Sequence, residues 1–127
     1  MLNERQILLI GILLCGLAVA LGAFGAHALK DLLIQTNRID TYELAVRYHF
    51  FHALSLIIIT VLINQFNYRG LKTSAILILI GILLFSGSLY CMAILNTTKV
   101  ALITPIGGVF FIAGWSFLFY SVWRGAK

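Results

Sequence analysis

Four long stretches without a charged side chain constrain this sequence more than any other feature. No Asp, Glu, Lys or Arg occurs at positions 6–29, 48–68, 73–98 or 100–123. A helix needs roughly 20 apolar residues to cross a hydrocarbon core about 30 Å thick, because each residue adds about 1.5 Å. A charge at the helix centre costs on the order of 3 kcal/mol. Each stretch therefore predicts a membrane-spanning helix.

The composition excludes an ordinary soluble domain. Only 10% of the 127 residues are charged and 61% are hydrophobic, whereas soluble domains carry about 25% charged residues. We predict an all-α, integral membrane four-helix bundle that forms one domain over residues 1–127. The expected spans are about 7–29, 44–66, 73–95 and 104–123. We interpret the first span as a retained helix, since its apolar region exceeds the roughly 7–15 residues of a signal peptide.

Small residues and helix-capping residues predict the local arrangement. Ala18, Gly22 and Ala26 recur every four residues, which favours close helix packing and a central position for the first span. Asp40 or Thr41 is a candidate cap for the second helix. Thr104-Pro105 is a candidate start for the fourth, with proline where its missing N–H costs nothing.

The basic residues lie at the ends of spans and between spans. They give a net charge of +5, but they form no basic stripe that could follow a phosphate backbone, so nucleic acid is not an expected partner. Five Lys or Arg fall on the side of the termini and four on the other side. The positive-inside rule therefore predicts cytoplasmic termini in a multi-pass protein of the cell membrane.

Polar side chains gather at one predicted end of the bundle. His27 ends the first span, and His49 and His52 begin the second. Ionisable residues within a membrane are costly and mark functional candidates. The candidate polar cluster comprises His27, Glu43, Arg47, Tyr48, His49, His52 and Thr104.

Several interpretations of this cluster stay open at the sequence level. Its members could form hydrogen bonds between helices that fix packing. His27 and His52 could ligate a metal or haem, or relay protons with Glu43 or Tyr48. The cluster could also be the site of a small transporter.

The sequence offers little for catalysis. Glu43 is the only acid near the histidines, and the second span supplies only Ser55 as a nucleophile, whereas an intramembrane hydrolase needs paired carboxylates or a nucleophile with its base. Cys15 and Cys91 show no metal-ligand spacing. We predict a protein that is not an enzyme, with no metal and no cofactor.

Small residues in the later spans predict close packing or an irregular backbone that lines a cavity. Two glycines of the first span and an aromatic residue of the fourth are added to these small residues. The predicted close-packing set is Gly22, Gly25, Ser86, Gly87, Ser88, Pro105, Gly107, Gly108 and Trp115.

Four segments together resemble the membrane-protein family known as domain of unknown function 423, which includes bacterial inner-membrane proteins and the eukaryotic transmembrane protein 256. They read GAFGAHAL from Gly22, YELAVRYHFFHAL from Tyr42, FSGSLY from Phe85 and TPIGGVFFIAGW from Thr104. The resemblance covers nearly the whole chain and implies a four-span membrane protein of about this length, but no activity. The family motifs draw attention to His27, Tyr48, His52, Ser86, Gly87, Pro105, Gly107, Gly108 and Trp115.

The function that we expect is that of a non-enzymatic scaffold or accessory protein of the cell membrane. Its expected partners are the lipid bilayer and either a second copy or another membrane protein. The first alternative is a small homodimeric transporter of a small solute or proton. The second is a haem- or metal-binding protein that uses His27 and His52.

Overall fold

The computed structural model describes residues 2–66 and 70–125. Its helices are α1 (Glu4–Ala26), α2 (Lys30–Gln35), α3 (Ile39–Gln65), α4 (Gly70–Gly81), α5 (Gly87–Ile94) and α6 (Ile103–Arg124). A π-helical segment, Ile82–Ser86, joins α4 to α5 without interruption. Within the described ranges there is no strand, and four helices are long and apolar enough to cross a membrane. The prediction of an all-α membrane bundle is confirmed.

The helix ends are set by local hydrogen bonds. Asn3 and Gln6 form a capping box at the start of α1, each side chain accepting from the other's backbone N–H. Asn37 and Asn96 adopt positive φ angles of 55° and 46° directly after the C-caps of α2 and α5. Asparagine tolerates this left-handed conformation, which ends a helix.

Two predicted helix starts are wrong. α3 begins at Ile39 with Arg38 as its N-cap, so Asp40 and Thr41 lie inside the helix. The Arg38 side chain instead donates to Asn96 Oδ1 at 3.1 Å, which joins the first connection to the last. α6 begins at Ile103, so Thr104 and Pro105 lie in its first turn, where a missing N–H still loses no helical hydrogen bond.

The connection between α1 and α3 contains the short helix α2. Leu33 of this short helix is buried against Tyr42 and Ala93, so α2 covers one end of the bundle. The connection between α3 and α4 lies outside the described residues at 67–69, and the described chain resumes at Gly70.

Each spanning helix packs mainly against the spans that adjoin it in the chain. α1 lies along α3, α3 lies along the third span through α4, the π segment and α5, and the third span lies along α6. α3 and the third span are therefore the two central helices. The main core is formed at this junction by Ile7, Ala53, Leu56, Ile59, Leu71, Ala75, Ile78, Ile82 and Phe111.

The prediction that the first span is central is wrong. α1 is the least buried of the four spans, and it contacts α3 through one narrow face made by Ile7, Gly11, Ala18 and Gly25. Gly22 is half-buried and Ala26 is exposed. Ile10 and Leu14 are partly buried against the core, whereas Leu9, Ile12, Leu13, Leu17, Val19 and Phe24 face outward. Outward-facing apolar side chains carry no penalty in lipid, because acyl chains are as apolar as leucine.

Candidate functional site

His52 lies at the midpoint of α3, and both of its ring nitrogens are hydrogen-bonded. Nδ1 lies 2.7 Å from the carbonyl oxygen of Tyr48, one turn earlier in the same helix. Nε1 of Trp115, on α6, lies 3.1 Å from Nε2. The His52 ring also stacks on Phe111, with centroids 3.5 Å apart and an interplanar angle of 16°.

These two bonds fix the protonation state of His52. An indole N–H can only donate, so Nε2 of His52 must accept. The single proton of the neutral ring then resides on Nδ1, which donates it to the Tyr48 carbonyl. A second proton on Nε2 would face the Trp115 N–H, so the geometry favours the neutral form.

The site is deeper than the sequence predicted. Thirteen residues, about 20 Å of helix, separate His52 from each end of α3. Trp115 lies close to the middle of α6 by the same rise per residue. The pair therefore lies near the centre of the spans, not at the end where the polar cluster was expected.

A groove of about 670 Å³ opens beside this pair, between α3 and α6. The backbones of these two helices make little contact, and aromatic side chains bridge the gap. Phe51 and Ile112 at its margin are 59% and 70% exposed, so at mid-helix depth the groove opens to the hydrocarbon region. We call it the aromatic groove; it is lined by Tyr48, Phe51, His52, Phe85, Gly108, Phe111, Ile112 and Trp115.

His49 belongs to a second polar contact, on another face of α3. Its Nδ1 lies 3.2 Å from the hydroxyl of Tyr90 on α5. Tyr42 packs edge-on against Tyr90 and donates its hydroxyl to the Leu21 carbonyl of α1 at 2.6 Å. His49 Nε2 is buried without a hydrogen bond of good geometry among the described residues, and the His49 ring also interacts with the Leu14 backbone. This contact links α1, α3 and α5.

The other predicted cluster members do not join either contact. His27 is the exposed C-cap of α1. Gly25 packs against Tyr42, so His27 lies at the level of Tyr42, roughly 15 Å along α3 from His52. His52 faces α6, whereas α1 lies on another face of α3. The structure therefore does not bring together the proposed ligand pair His27 and His52.

Glu43 and Arg47 are exposed near the start of α3 and border a shallow hollow with Asp40. Thr104 is bonded elsewhere, since its hydroxyl is 2.6 Å from that of Ser88. Among the described residues no group of three or more His, Cys, Asp or Glu side chains could hold a metal ion.

The small residues divide into tight and loose contacts. A side chain at Gly107 would collide with the Phe85 backbone, and one at Gly25 with the Tyr42 ring. Gly22 is tight against Val46, with 3.3 Å to an added Cβ. Ser88 also donates to the Phe85 carbonyl at 2.9 Å, and Ser86 is buried with its hydroxyl unpartnered in the described part of the chain.

Four members of the predicted close-packing set lie in looser surroundings. An added Cβ at Gly87 would meet nothing within 4 Å, and one at Gly108 only the Phe85 ring at 3.9 Å. Pro105 is exposed in the first turn of α6. Trp115 is 46% exposed and makes its contact through the indole N–H rather than by close packing.

Sequence reasoning missed several residues that shape the site. Phe111 stacks on His52, Phe85 stacks on Tyr48 with centroids 4.7 Å apart, and Tyr90 bonds His49. Phe111 and Trp115 are four residues apart and so share a helix face. That spacing was the available signal for an aromatic surface on α6.

The comparisons with known proteins agree with this fold. The family model described as "Protein of unknown function (DUF423)" matches residues 21–108. The chain is 39% identical over 112 residues to the UPF0382 membrane protein YwdK of Bacillus subtilis, covering 87% of this chain and 90% of the relative. It is 38% identical over 120 residues to the UPF0382 membrane protein SH2409 of Staphylococcus haemolyticus, covering 94% and 97%.

A third relative is the UPF0382 inner membrane protein YgdD of Escherichia coli K12. The two chains are 37% identical over 102 residues, which cover 79% of this chain and 76% of the relative. No solved structure matches the chain. The resemblance drawn from the four sequence motifs is confirmed, and the protein is a member of the DUF423 family of membrane proteins.

Proposed function

We propose that this protein is a non-enzymatic accessory protein of the cell membrane that associates laterally with another membrane component through the aromatic groove. The observation that supports this proposal is the bonding of His52. Its two nitrogens are occupied by Tyr48 and Trp115, so this ionisable group near the centre of the spans holds α3 against α6.

The other intramembrane hydroxyl groups support the same interpretation. Ser74 donates to the Gly114 carbonyl at 2.7 Å, which ties α4 to α6. Ser55 donates to the carbonyl of His52 at 2.7 Å and not to a ring nitrogen, so it has no base to activate it. The Ser74 bond stabilises helix packing, the Ser55 bond lies within α3, and neither hydroxyl forms a nucleophile–base pair.

The exposed surface around the aromatic groove is the second observation that supports the proposed lateral association. Phe51, Ile112 and Trp115 expose apolar and aromatic area around one concavity. Aromatic rings supply large contact areas with little loss of conformational entropy, and such residues dominate binding surfaces.

The test compares two outward positions of equal exposure. Ile112, in the aromatic groove, and Leu13, on α1, are both 70% exposed. A photoreactive amino acid is placed at each position, and the protein is irradiated in its native membrane. We expect one discrete adduct from position 112, which mass spectrometry identifies as a protein or a second copy, and only diffuse lipid products from position 13. The same products from both positions would contradict the proposal.

The transporter alternative is tested on the same protein in sealed liposomes. A His near the centre of the spans beside a π-helical segment favours it, because both features occur at functional sites. We expect the wild-type protein to carry protons no faster than empty liposomes do. A proton flux that His52→Gln abolishes would replace the accessory proposal with the transporter.

We also propose that both termini lie in the cytoplasm, on the basis of the Lys and Arg distribution. In a background with Cys15 and Cys91 replaced by alanine, a membrane-impermeant maleimide should label Gln35→Cys in intact cells. Gly125→Cys should react only after the cells are opened. The reverse labelling pattern would show the opposite orientation.

A further inference from the structure

A second pocket lies at the membrane surface, where the end of α1, α2 and the start of α3 meet. It encloses about 300 Å³, at the lower end of the roughly 300–1,000 Å³ found for small-molecule sites. Gly25, Leu33 and Tyr42 are buried and form its floor, while Lys30 and Glu43 are exposed at its rim. We call it the interfacial pocket.

The floor of the interfacial pocket is held in place from several directions. The Tyr42 hydroxyl donates to the Leu21 carbonyl at 2.6 Å, and its ring packs directly on Gly25, where a Cβ would not fit. Leu33 covers the same ring and contacts Ala93 of α5. The pocket therefore has a rigid apolar base formed by α1, α2 and α3.

The rim carries two opposite charges without partners. In the two described ranges, neither Lys30 nor Glu43 has an ion pair or a side-chain hydrogen bond. The ion pair found there joins two other residues, Lys72 and Glu4. Glu43 also borders the hollow with Asp40 and Arg47, but neither of its neighbours there pairs with it. A ligand in the interfacial pocket would meet one cation and one anion above an apolar surface.

The depth of the interfacial pocket points to lipid as the source of that ligand. α1 has 23 residues, about 34 Å of helix, which slightly exceeds a hydrocarbon core of about 30 Å. Lys30 follows the end of this helix, and Glu43 lies one residue beyond Tyr42, which contacts Gly25. Both charges therefore lie at the level of the phospholipid headgroups.

We propose that the interfacial pocket binds the headgroup of an ethanolamine phospholipid. Lys30 faces the phosphate, Glu43 accepts hydrogen bonds from the ammonium group, and the floor formed by Gly25, Leu33 and Tyr42 receives the glycerol end of the acyl chains. A choline headgroup has no N–H to donate to Glu43, and a glycerol headgroup has no cation. The expected order of affinity is ethanolamine, then choline, then glycerol.

The test is native mass spectrometry of the full chain in mild detergent. The added probe is an equimolar mixture of phosphatidylethanolamine, phosphatidylcholine and phosphatidylglycerol with identical acyl chains. We expect the ethanolamine lipid to be retained about fivefold over the glycerol lipid, the effect of about one charge contact near a membrane surface. Glu43→Gln should abolish this preference, and Lys30→Gln should lower retention of all three lipids about fivefold.

Two variants with matched charge loss serve as controls. Asp31→Asn and Lys99→Gln each remove a charge on the same side of the membrane, at exposed positions outside the interfacial pocket. They should leave the lipid profile of the wild-type protein unchanged. Thermal unfolding of all four variants verifies that the exposed substitutions leave the fold intact.

Three results would overturn the proposal: equal retention of the ethanolamine and glycerol lipids by the wild type, an unchanged preference in Glu43→Gln, or equal effects in the controls. Soluble phosphoethanolamine distinguishes the two sources of the headgroup. We expect it not to displace the lipid at equal concentration, because it lacks the chains that contact the floor. Displacement would assign the pocket to a free headgroup and reject the lipid.

Discussion

His52 and Trp115 each provide what the other lacks in a membrane interior. The indole N–H of Trp115 needs an acceptor, and Nε2 of His52 needs a donor, since unsatisfied polar groups are costly where no water is present. Their 3.1 Å contact joins α3 to α6 across a gap that the backbones do not close. One hydrogen bond therefore positions two walls of the aromatic groove.

This pairing predicts a non-additive pair of mutations. Trp115→Phe and His52→Phe should each lower the free energy of unfolding by about 0.6–1.7 kcal/mol, the range for hydrogen bonds between membrane helices. Because both remove the same bond, the double variant should lose about as much as either single variant. Unfolding in mixed detergent micelles measures all three, and Trp123→Phe, at the end of α6 beside Tyr120, is the control. Additive losses would contradict the pairing.

The sequence identified His52 as a candidate but could not identify its partner. Trp115 is 63 positions away, and their contact depends on how far apart α3 and α6 lie. The residues near His27 in the sequence are as polar as those near His52. His27 is nevertheless exposed, because it terminates α1. Residue type and spacing show which side chains share a helix face, but contacts between helices require the packing.

At the level of helices, the third span is shaped by its contact with α6. Gly107 lies against the backbone of Phe85, within the π segment Ile82–Ser86. The widened backbone directs the Phe85 ring into the aromatic groove, where it stacks on Tyr48. The cluster of small residues at 86–88 indicated an unusual segment, but five residues are too few for periodicity to reveal a π helix.

Adjacent glycines on α6 provide a matched test of this contact. Gly107→Ala should destabilise the protein by about 1–3 kcal/mol, because the new Cβ collides with a backbone that cannot move aside as a side chain could. Gly108→Ala should be neutral or slightly stabilising, since its Cβ meets only the Phe85 ring at 3.9 Å and alanine favours helix by up to about 1 kcal/mol. Equal effects on detergent unfolding would show that α6 does not pack this closely on the π segment.

The whole molecule is built from four apolar helices, and that architecture was largely predictable. The charge-free stretches correspond to the four long apolar helices, because insertion into a membrane depends on local composition. The order of helices around the bundle was not predictable in the same way. Small residues occur in both α1 and α6, and only the packing shows that α3 and the third span are central and that α1 is peripheral.

The depth of the aromatic groove gives a prediction for the whole molecule. Trp115 and Trp123 are the two tryptophans, separated by about 12 Å along α6. In Trp123→Phe, the remaining Trp115 should be quenched most by lipids brominated near the ends of their acyl chains. In Trp115→Phe, the remaining Trp123 should respond most to bromine close to the headgroup. Identical depth profiles would place the groove at the membrane surface and not at its centre.

The packing of each span against its neighbours in the chain has a consequence for how the protein is made. α1 packs on α3, α3 on the third span, and the third span on α6, so each extensive contact joins spans that are consecutive in the chain. Contacts between sequence neighbours form quickly because little chain must be closed into a loop. α1 and α3 can therefore pack in the bilayer while the ribosome is still translating the later spans. Each later span then adds to the span before it, so no rearrangement of early helices by later ones is needed.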